Sequence, residues 1–324
     1  MMKGCRQYNL IRAHTRCFCC PGGFVVYRIG VVGTPGGKSS EWLADEVQAQ
    51  TGHRLLVDME AVTLDLEQKT AYFQGQNLMA LDGLMVKKIG NRYSPDLLDR
   101  LEILRFLHRR GLPVFSAPES MMRVVDRLSC TAALRLAGIA IPTTVVTEDI
   151  QAAKQAVQRF QEAVLKPLYT SKARGMRLIK DSEYLDQEIR EYKAENAIMY
   201  IQKKIELNGR DLGLAFLGGE YVTTYARCSQ GTSWNTTTAN GGKYQAYTPG
   251  SESIDLAAKA QGLFDLDFTC VDVAETEDGP LVFEVSAFGG FQGIYEAQGI
   301  DAAGMFTSYV LDKVKQKGTK QDLG

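Results

Sequence analysis

Histidine is scarce in this chain. His14, His53 and His108 are the only 3 among 324 residues, and none follows residue 108. No convincing Ser/His/Asp or Cys/His nucleophilic set can therefore be assembled. An excess of charge is missing as well: 37 Lys and Arg face 38 Asp and Glu, for a net charge of −1. Nothing at chain level points to nucleic acid or to an anionic membrane. No apolar stretch approaches the length that spans a bilayer. Internal repeats and low-complexity tracts are absent.

Acidic residues are also missing before Glu41, whereas Arg6, Arg12 and Arg16 run through that stretch. An acid-free, Arg-bearing leader fits a transit peptide, but the lack of a continuous apolar core argues against a secretory signal. Of the 7 cysteines, Cys5, Cys17, Cys19 and Cys20 lie in this leader, in a spacing that matches no standard zinc pattern. Residues 1–27 are read as a disordered tail. Cys130, Cys228 and Cys270 are scattered singly, which fits a reducing cytoplasm and no disulfide framework.

What is present is an ordinary globular composition, 45% hydrophobic and 23% charged, in a length that suits two or three small domains. Strands are expected at Val25–Gly33, Arg54–Asp58, Asp82–Ile89 and Leu112–Phe115, with a hairpin over Ala61–Leu66 and Thr70–Gln74. Helices from Ser40 to Gln50 and from Asp96 to Arg110 alternate with them, which implies a mainly parallel sheet. Gly33-Thr-Pro-Gly-Gly-Lys-Ser-Ser resembles a phosphate-binding Walker A loop but is one residue short between its glycines. A plain strand–turn–helix connection is preferred. Beyond it, one helix is expected over Ser120–Ala137, others over Asp149–Gln161, Ser182–Tyr192, Ile254–Gly262 and Ala302–Lys315. Strands are expected at Ala163–Pro167, Arg177–Lys180, Met199–Glu206, Asp211–Phe216 and Glu220–Arg227, followed by a long polar loop over 228–250.

Two acids near the C-terminus are the most informative residues. Asp272 and Glu284 sit in FTCVDVAETEDGPLVFEVSAFGG, each inside an apolar run. Val271 to Val273 reads as one strand, Leu281 to Val285 as the next, and Thr276 to Gly279 as the turn. A buried carboxylate is costly without a partner, and two together require a cation. Hard oxygen ligands suit Mg²⁺, which usually also holds phosphate when its protein ligands are few. A hairpin with two outward-facing acids is the alternative that these residues leave open. Lys166, inside the apolar run Val164-Leu165-Lys166-Pro167, is a plausible phosphate contact or a lysine whose head reaches water. The backbone around Lys203 and Lys204 could meet an adenine edge. Arg227, beside the long loop, could stabilise charge on a transferring phosphoryl group.

These elements come in a specific order. Val125-Asp126-Arg127-Leu128-Ser129 and Ala137-Gly-Ile-Ala-Ile-Pro-Thr-Thr144 precede Val164-Leu-Lys166-Pro-Leu168 and Ser171-Lys-Ala-Arg-Gly-Met176. Tyr200-Ile-Gln202-Lys203-Lys204-Ile205, Asn208-Gly-Arg-Asp211, Tyr225-Ala-Arg227 and Asn240-Gly-Gly242 follow. Val271-Asp272-Val273, Gly279-Pro-Leu-Val-Phe-Glu284-Val-Ser286 and Gln298-Gly-Ile-Asp-Ala-Ala-Gly304 close the series. From about Arg28 to Val314 the chain resembles the ATP-grasp superfamily, and most closely its RimK-type glutamate ligase branch, with a glutathione-synthetase-like ATP-binding domain.

The resemblance implies an α/β and α+β architecture: a small parallel-sheet N-terminal (pre-ATP-grasp) domain, then a two-subdomain ATP-grasp fold. The divisions would be 28–120, a small subdomain over 121–198, a large one with the metal site over 199–315, and a tail over 316–324. It further implies that Lys166 and Arg127 contact phosphate and that Gln202, Lys203, Lys204 and Ile205 bind adenine. Asp211 would hold ribose, and Asn235, Thr236 and Thr237 would meet the nucleotide. Asp272, Glu284 and Ser286 would hold Mg²⁺ or Mn²⁺, with Arg227 and Lys166 as catalytic cations.

The chain departs from the family pattern at Arg127, where a lysine is usual, and at Ser286, where asparagine is usual. It also has Gly213 in place of a frequent arginine, and Asn240 in place of a basic residue. The implied activity is a cytoplasmic, ATP-dependent carboxylate–amine ligase acting through an acyl phosphate on a small substrate or a peptide terminus. No nucleic acid or membrane is involved, and a homodimer or homotetramer is compatible. The alternatives are an ATP-binding regulatory or assembly protein, or a small-molecule kinase on the same fold.

Overall fold

The computed structural model describes residues 26–321 apart from 93, 172, 230–235 and 237–241. The Cys-rich leader up to residue 25 lies outside the described residues, as do Lys172, Asn235, Thr237, Asn240 and Gly241.

The chain enters through β1 (Ile29–Val32), every residue of which is buried. The Gly33–Gly37 turn leads into α1 (Lys38–Thr51). That turn is closed on its own side chains. Ser40 Oγ accepts from the Thr34 amide at 3.0 Å and Glu41 from the Gly36 amide at 2.8 Å. With these amides committed, the turn is a connection and not a phosphate cradle. Next come β2 (Leu56–Val57), β3 (Val62–Asp65), β4 (Thr70–Phe73), β5 (Gln76–Asn77), β6 (Gly83–Val86), α2 (Asp96–Arg109) and β7 (Val114–Phe115). β1, β2, β6 and β7 form a parallel sheet in the order β2-β1-β6-β7, and β3-β4-β5 a small antiparallel one.

The single helix expected over Ser120–Ala137 is two, α3 (Pro118–Val125) and α4 (Arg127–Leu136). Asp126 breaks it: its backbone is extended, and its carboxylate accepts from the Leu128 amide at 3.0 Å, capping α4. Arg127 therefore heads a helix instead of lying within one.

β8 (Thr144–Thr147), α5 (Ile150–Phe160), β9 (Glu162–Lys166), β10 (Arg177–Lys180), α6 (Leu185–Glu195) and β11 (Met199–Lys203) form the next unit. Its antiparallel sheet runs β10-β9-β11-β8. Alternation along β9 and β11 sends Ala163, Leu165, Met199 and Ile201 into a core shared with α5 and α6. Lys166, Tyr200 and Gln202 belong to the opposite set. β11 pairs with both β8 and β9, so this sheet runs through Lys203, past the division expected at residue 199. Met121, Val124, Cys130 and Leu134 of α3 and α4 belong to the main core and not to that of the smaller lobe.

The rest is built on β12 (Arg210–Leu217), β13 (Glu220–Cys228), β14 (Lys243–Ala246), α7 (Ser251–Gly262), β15 (Phe268–Thr276), β16 (Gly279–Ser286), α8 (Phe291–Gln298) and α9 (Ala302–Gln321). The five-stranded antiparallel sheet runs β14-β13-β12-β15-β16. β14 interrupts the stretch expected to be loop, and α9 continues past the boundary expected at Lys315. One face of this sheet, with Leu212, Leu214, Phe216, Val271, Val273, Val282 and Val285, joins a core with α2, α3, α4 and α7. On the other face, Ala215, Tyr225, Phe268 and Cys270 pack with α1, α8 and α9. No helix among the described residues is long and apolar enough to cross a membrane.

Candidate active site

The polar face of the five-stranded sheet collects the residues that matter. Tyr225 pairs with Gly213, Gly213 with Asp272, and Asp272 with Glu284, so the four stand in one row across β13, β12, β15 and β16. Asp211 faces Arg227 one step along. In a regular strand Val282 and Glu284 would share a face, since side chains alternate with period two. They do not: the register slips between Asp272 and Val273, whose partners are Glu284 and Val282, leaving Phe283 as the additional residue. This bulge keeps Val282 in the core while turning Glu284 onto the polar face. It also aims the Phe283 ring at Lys166, whose Nζ lies 5.0 Å from the ring centre.

Cations and acids alternate over this face. Arg227 donates to both carboxylate oxygens of Asp211, and its Nη2 stands 3.0 Å from Asp272 Oδ1. Arg127, 7% exposed, donates from Nη1 to Glu284 at 3.1 Å and from Nε to the Pro167 carbonyl at 3.1 Å. The two acids expected to hold metal are thus half-buried, and each is paired with an arginine. Burial pushes the Asp272 carboxyl up to about 6 even though Arg227 pulls it down; Asp211 and Glu284 add to the rise. Arg227 is part of the acid cluster itself, holding Asp211 and Asp272 together. The Asp211 carboxylate, expected to hold ribose, is engaged by Arg227 and by the buried Thr236 hydroxyl.

Lys166, 9% exposed, reaches the same space from the smaller lobe. Its ammonium is pushed down to about 7, first by burial and then by Arg127, against the pull of Glu284, Asp272 and Asp211. Lys166 Nζ donates to Gln202 Oε1 at 2.5 Å. Gln202 in turn donates to Thr144 Oγ1 at 3.0 Å and to Tyr200 Oη at 3.1 Å, and the Tyr200 hydroxyl meets that of Thr131 in α4 at 2.9 Å. The side chain of Gln202 therefore orients Lys166. The Lys203 and Lys204 amides are spent on the Thr143 and Glu162 carbonyls at 2.8 and 3.0 Å. Lys203 is exposed, and Lys204 pairs with Glu162 and Glu206. The Ile205 amide has no partner among the described residues.

Two departures from the family pattern acquire a structural setting. A Cβ on Gly213 would stand 2.4 Å from Cζ of Tyr225, so the ring of the neighbouring strand fills the space that a larger residue at 213 would need. Ser286 lies in register with Cys270, one step beyond the acid pair, and its Oγ accepts from the Phe288 amide at 3.2 Å. It lines the same recess as Arg127, Thr170 and Glu284. Among the described residues no group of three or more His, Cys, Asp or Glu could hold a metal. Two adjacent carboxylates and a hydroxyl still suit Mg²⁺, which takes few protein oxygens and completes its shell with water and phosphate. Tyr200, Thr131, Thr144 and Phe283 were not recognised in the sequence. Alternation with Gln202 could have found Tyr200, but no local signal marks the bulge at Phe283.

Residues 124–310 match the RimK-like ATP-grasp domain family. The chain is 25% identical over 289 residues to the tetrahydromethanopterin:alpha-L-glutamate ligase of Methanosarcina acetivorans, covering 79% of this chain and 89% of that protein. It is also 25% identical over 245 residues to the ribosomal protein bS6–L-glutamate ligase of Salmonella paratyphi B, covering 74% of this chain and 79% of that one. Its fold resembles that of the ATP-grasp ligase PsnB complexed with minimal precursor, with a TM-score of 0.69 at 18% identity, covering 89% of this chain and 99% of the other.

Proposed function

The chain belongs to the RimK-like ATP-grasp family, and from that premise we propose that it is an ATP-dependent ligase joining a carboxylate to an amine through an acyl phosphate. The observation that carries the reading is the Asp272–Glu284 pair on one sheet face, flanked by Arg127 and Arg227 and faced by Lys166. Lys166 and Arg127 hold the phosphates of ATP in the space between the β10-β9-β11-β8 sheet and the five-stranded sheet. Asp272 and Glu284, with Ser286 beside them, hold Mg²⁺ or Mn²⁺, which when bound neutralises charge on the phosphates. The Ile205 amide and the adjacent carbonyls take the adenine edge, and Asp211 and Thr236 face the sugar.

ATP gives its terminal phosphoryl group to the substrate carboxylate. The acceptor amine then displaces phosphate, leaving an amide, ADP and phosphate. The chain need supply no nucleophile. Lys166 and Arg227 offset the charge on the transferring group, and the two lobes align the reactants. The acceptor is an amino acid or a peptide terminus, in keeping with the glutamate ligases and the precursor-bound neighbour that the chain resembles.

The test is ADP release with ATP and Mg²⁺ over a panel of amino acids, peptides and carboxylates, with hydroxylamine present to trap an acyl phosphate. Acceptor-stimulated ADP release with a trapped hydroxamate is the expected result. Tight Mg²⁺–ATP binding that no acceptor turns into hydrolysis would favour a regulatory protein on the same fold.

A further inference from the structure

Lys87 has no place in the chemistry above, yet it is among the most deeply buried cations of the molecule, 3% exposed at the end of β6. No carboxylate pairs with it among the described residues. Its ammonium is instead enclosed by three acceptors. It donates to the Gly289 carbonyl, lies 3.4 Å from the Phe288 carbonyl, and sits 3.9 Å from the centre of the Phe291 ring. An ammonium has three N–H donors, and an aromatic face accepts one of them. Burial pushes it down to about 7, with the Cys270 thiol pulling it up and Lys88 pushing it further down. Holding an unpaired ammonium in the interior is costly, a cost that a methionine of similar length would not incur.

What Lys87 grips is the turn between β16 and α8. The Phe288 amide of that turn donates to Ser286 Oγ at 3.2 Å. Gly289 presses on β15 so closely that a Cβ there would lie 2.5 Å from Cys270 Sγ. The turn is thus fixed from the N-terminal domain on one side and from β15 on the other, and Ser286 is its first anchor.

We propose that Lys87 is a positioning residue which, by clamping the Phe288–Gly289 turn, sets the Ser286 hydroxyl relative to Asp272 and Glu284. The inference rests on the reading of those three residues as the metal-holding set. It makes metal-dependent nucleotide affinity a property partly controlled from the N-terminal domain.

The experiment compares ADP binding with and without MgCl₂, by calorimetry, for the full chain and for Lys87→Met, Lys87→Gln and Ser286→Ala. Lys87→Met should melt no lower than the unaltered protein. It should lose about tenfold or more of the affinity that Mg²⁺ adds, the size usual when a residue supporting a metal ligand is removed, while metal-free ADP binding stays unchanged. Ser286→Ala should lose a similar factor, and the double variant no more than either alone. Lys87→Gln, which keeps a donor, should fall between, and it decides the matter if the methionine variant does not fold. Unchanged Mg²⁺-dependent affinity in Lys87→Gln and Lys87→Met overturns the proposal. So does a loss that is equal with and without Mg²⁺ and follows the melting temperature. If the unaltered protein binds ADP no more tightly with Mg²⁺ than without, the metal reading itself fails.

Discussion

Replacing Arg227 by methionine removes the cation that stands between Asp211 and Asp272, and the size of the loss can be worked out. The Asp211 side chain is 9% exposed and that of Asp272 28%. Removing one partner of a buried pair costs ~3–5 kcal/mol. The partial exposure of Asp272 and the Thr236 hydroxyl on Asp211 place this case near the lower end, about 3 kcal/mol. For a chain of this size that is a fall of roughly 4 °C in melting temperature.

The loss should depend on pH in a stated direction. The Asp272 carboxyl is raised to about 6 in the folded protein even with Arg227 attracting its charged form. The folded state therefore holds a proton that the unfolded chain releases. The penalty for ionised Asp272 is fully present above about pH 6 and is relieved as pH falls through that value towards the ordinary carboxylate range. Without Arg227 the carboxyl rises further, so the melting deficit should be large near about pH 8 and smaller near about pH 5. Mg²⁺ should restore part of it by replacing the lost charge. Scanning calorimetry of Arg227→Met at both pH values, with and without Mg²⁺, measures all three effects. Arg105→Met, which breaks only a surface pair with Glu102, should stay within about 1 kcal/mol of the unaltered protein. Equal melting of Arg227→Met and the unaltered protein at the higher pH would refute the reasoning, as would a deficit that does not change with pH.

Gln202→Glu should give Lys166 an acid partner and raise its ammonium from about 7, so the alkaline limb of the pH–rate profile should move upward. An unmoved limb would assign it to another group. Gly213→Ala forces a Cβ to 2.4 Å from the Tyr225 ring and should cost ~1–3 kcal/mol in urea denaturation, with recovery when Tyr225→Leu is added. Silence of Gly213→Ala would show that the ring yields freely. Asp126→Ala should cost about 1 kcal/mol and weaken ADP binding, because it uncaps the helix that Arg127 heads, whereas Asp126→Asn should keep both. Equal losses in the two variants would mean that charge, and not capping, is what Asp126 supplies.

Much of this was legible in the sequence because it is local. Apolar alternation marks β9, β11, β12 and β15, and those strands fix which face Lys166, Gln202 and Asp272 occupy. The ordered motifs place Arg127, Lys166, Arg227, Asp272 and Glu284 in one site, and the structure brings all five to the same space. What escaped depends on distant partners. The Phe283 bulge is defined against β15 and leaves no trace in the spacing of its own strand. β11 looks like the start of a new unit until its pairing with β8 and β9 is known. The break at Asp126 was within reach, since an aspartate two residues ahead of a helical amide is a cap signal. The apolar periodicity running through both helices hid it.

The cores shared across the expected boundary near residue 120 bear on how such a protein can be altered. Leu84 and Leu104 from the N-terminal side and Val271 and Val285 from the large sheet belong to one contiguous interior. Transplanting the N-terminal part of a relative would therefore replace half of a fitted interior and leave the other half mismatched. The smaller lobe is different: among the described residues its core of Val157, Leu165, Ile189 and Ile201 draws on no other part of the chain. Chimaeras that exchange this lobe should be far better tolerated.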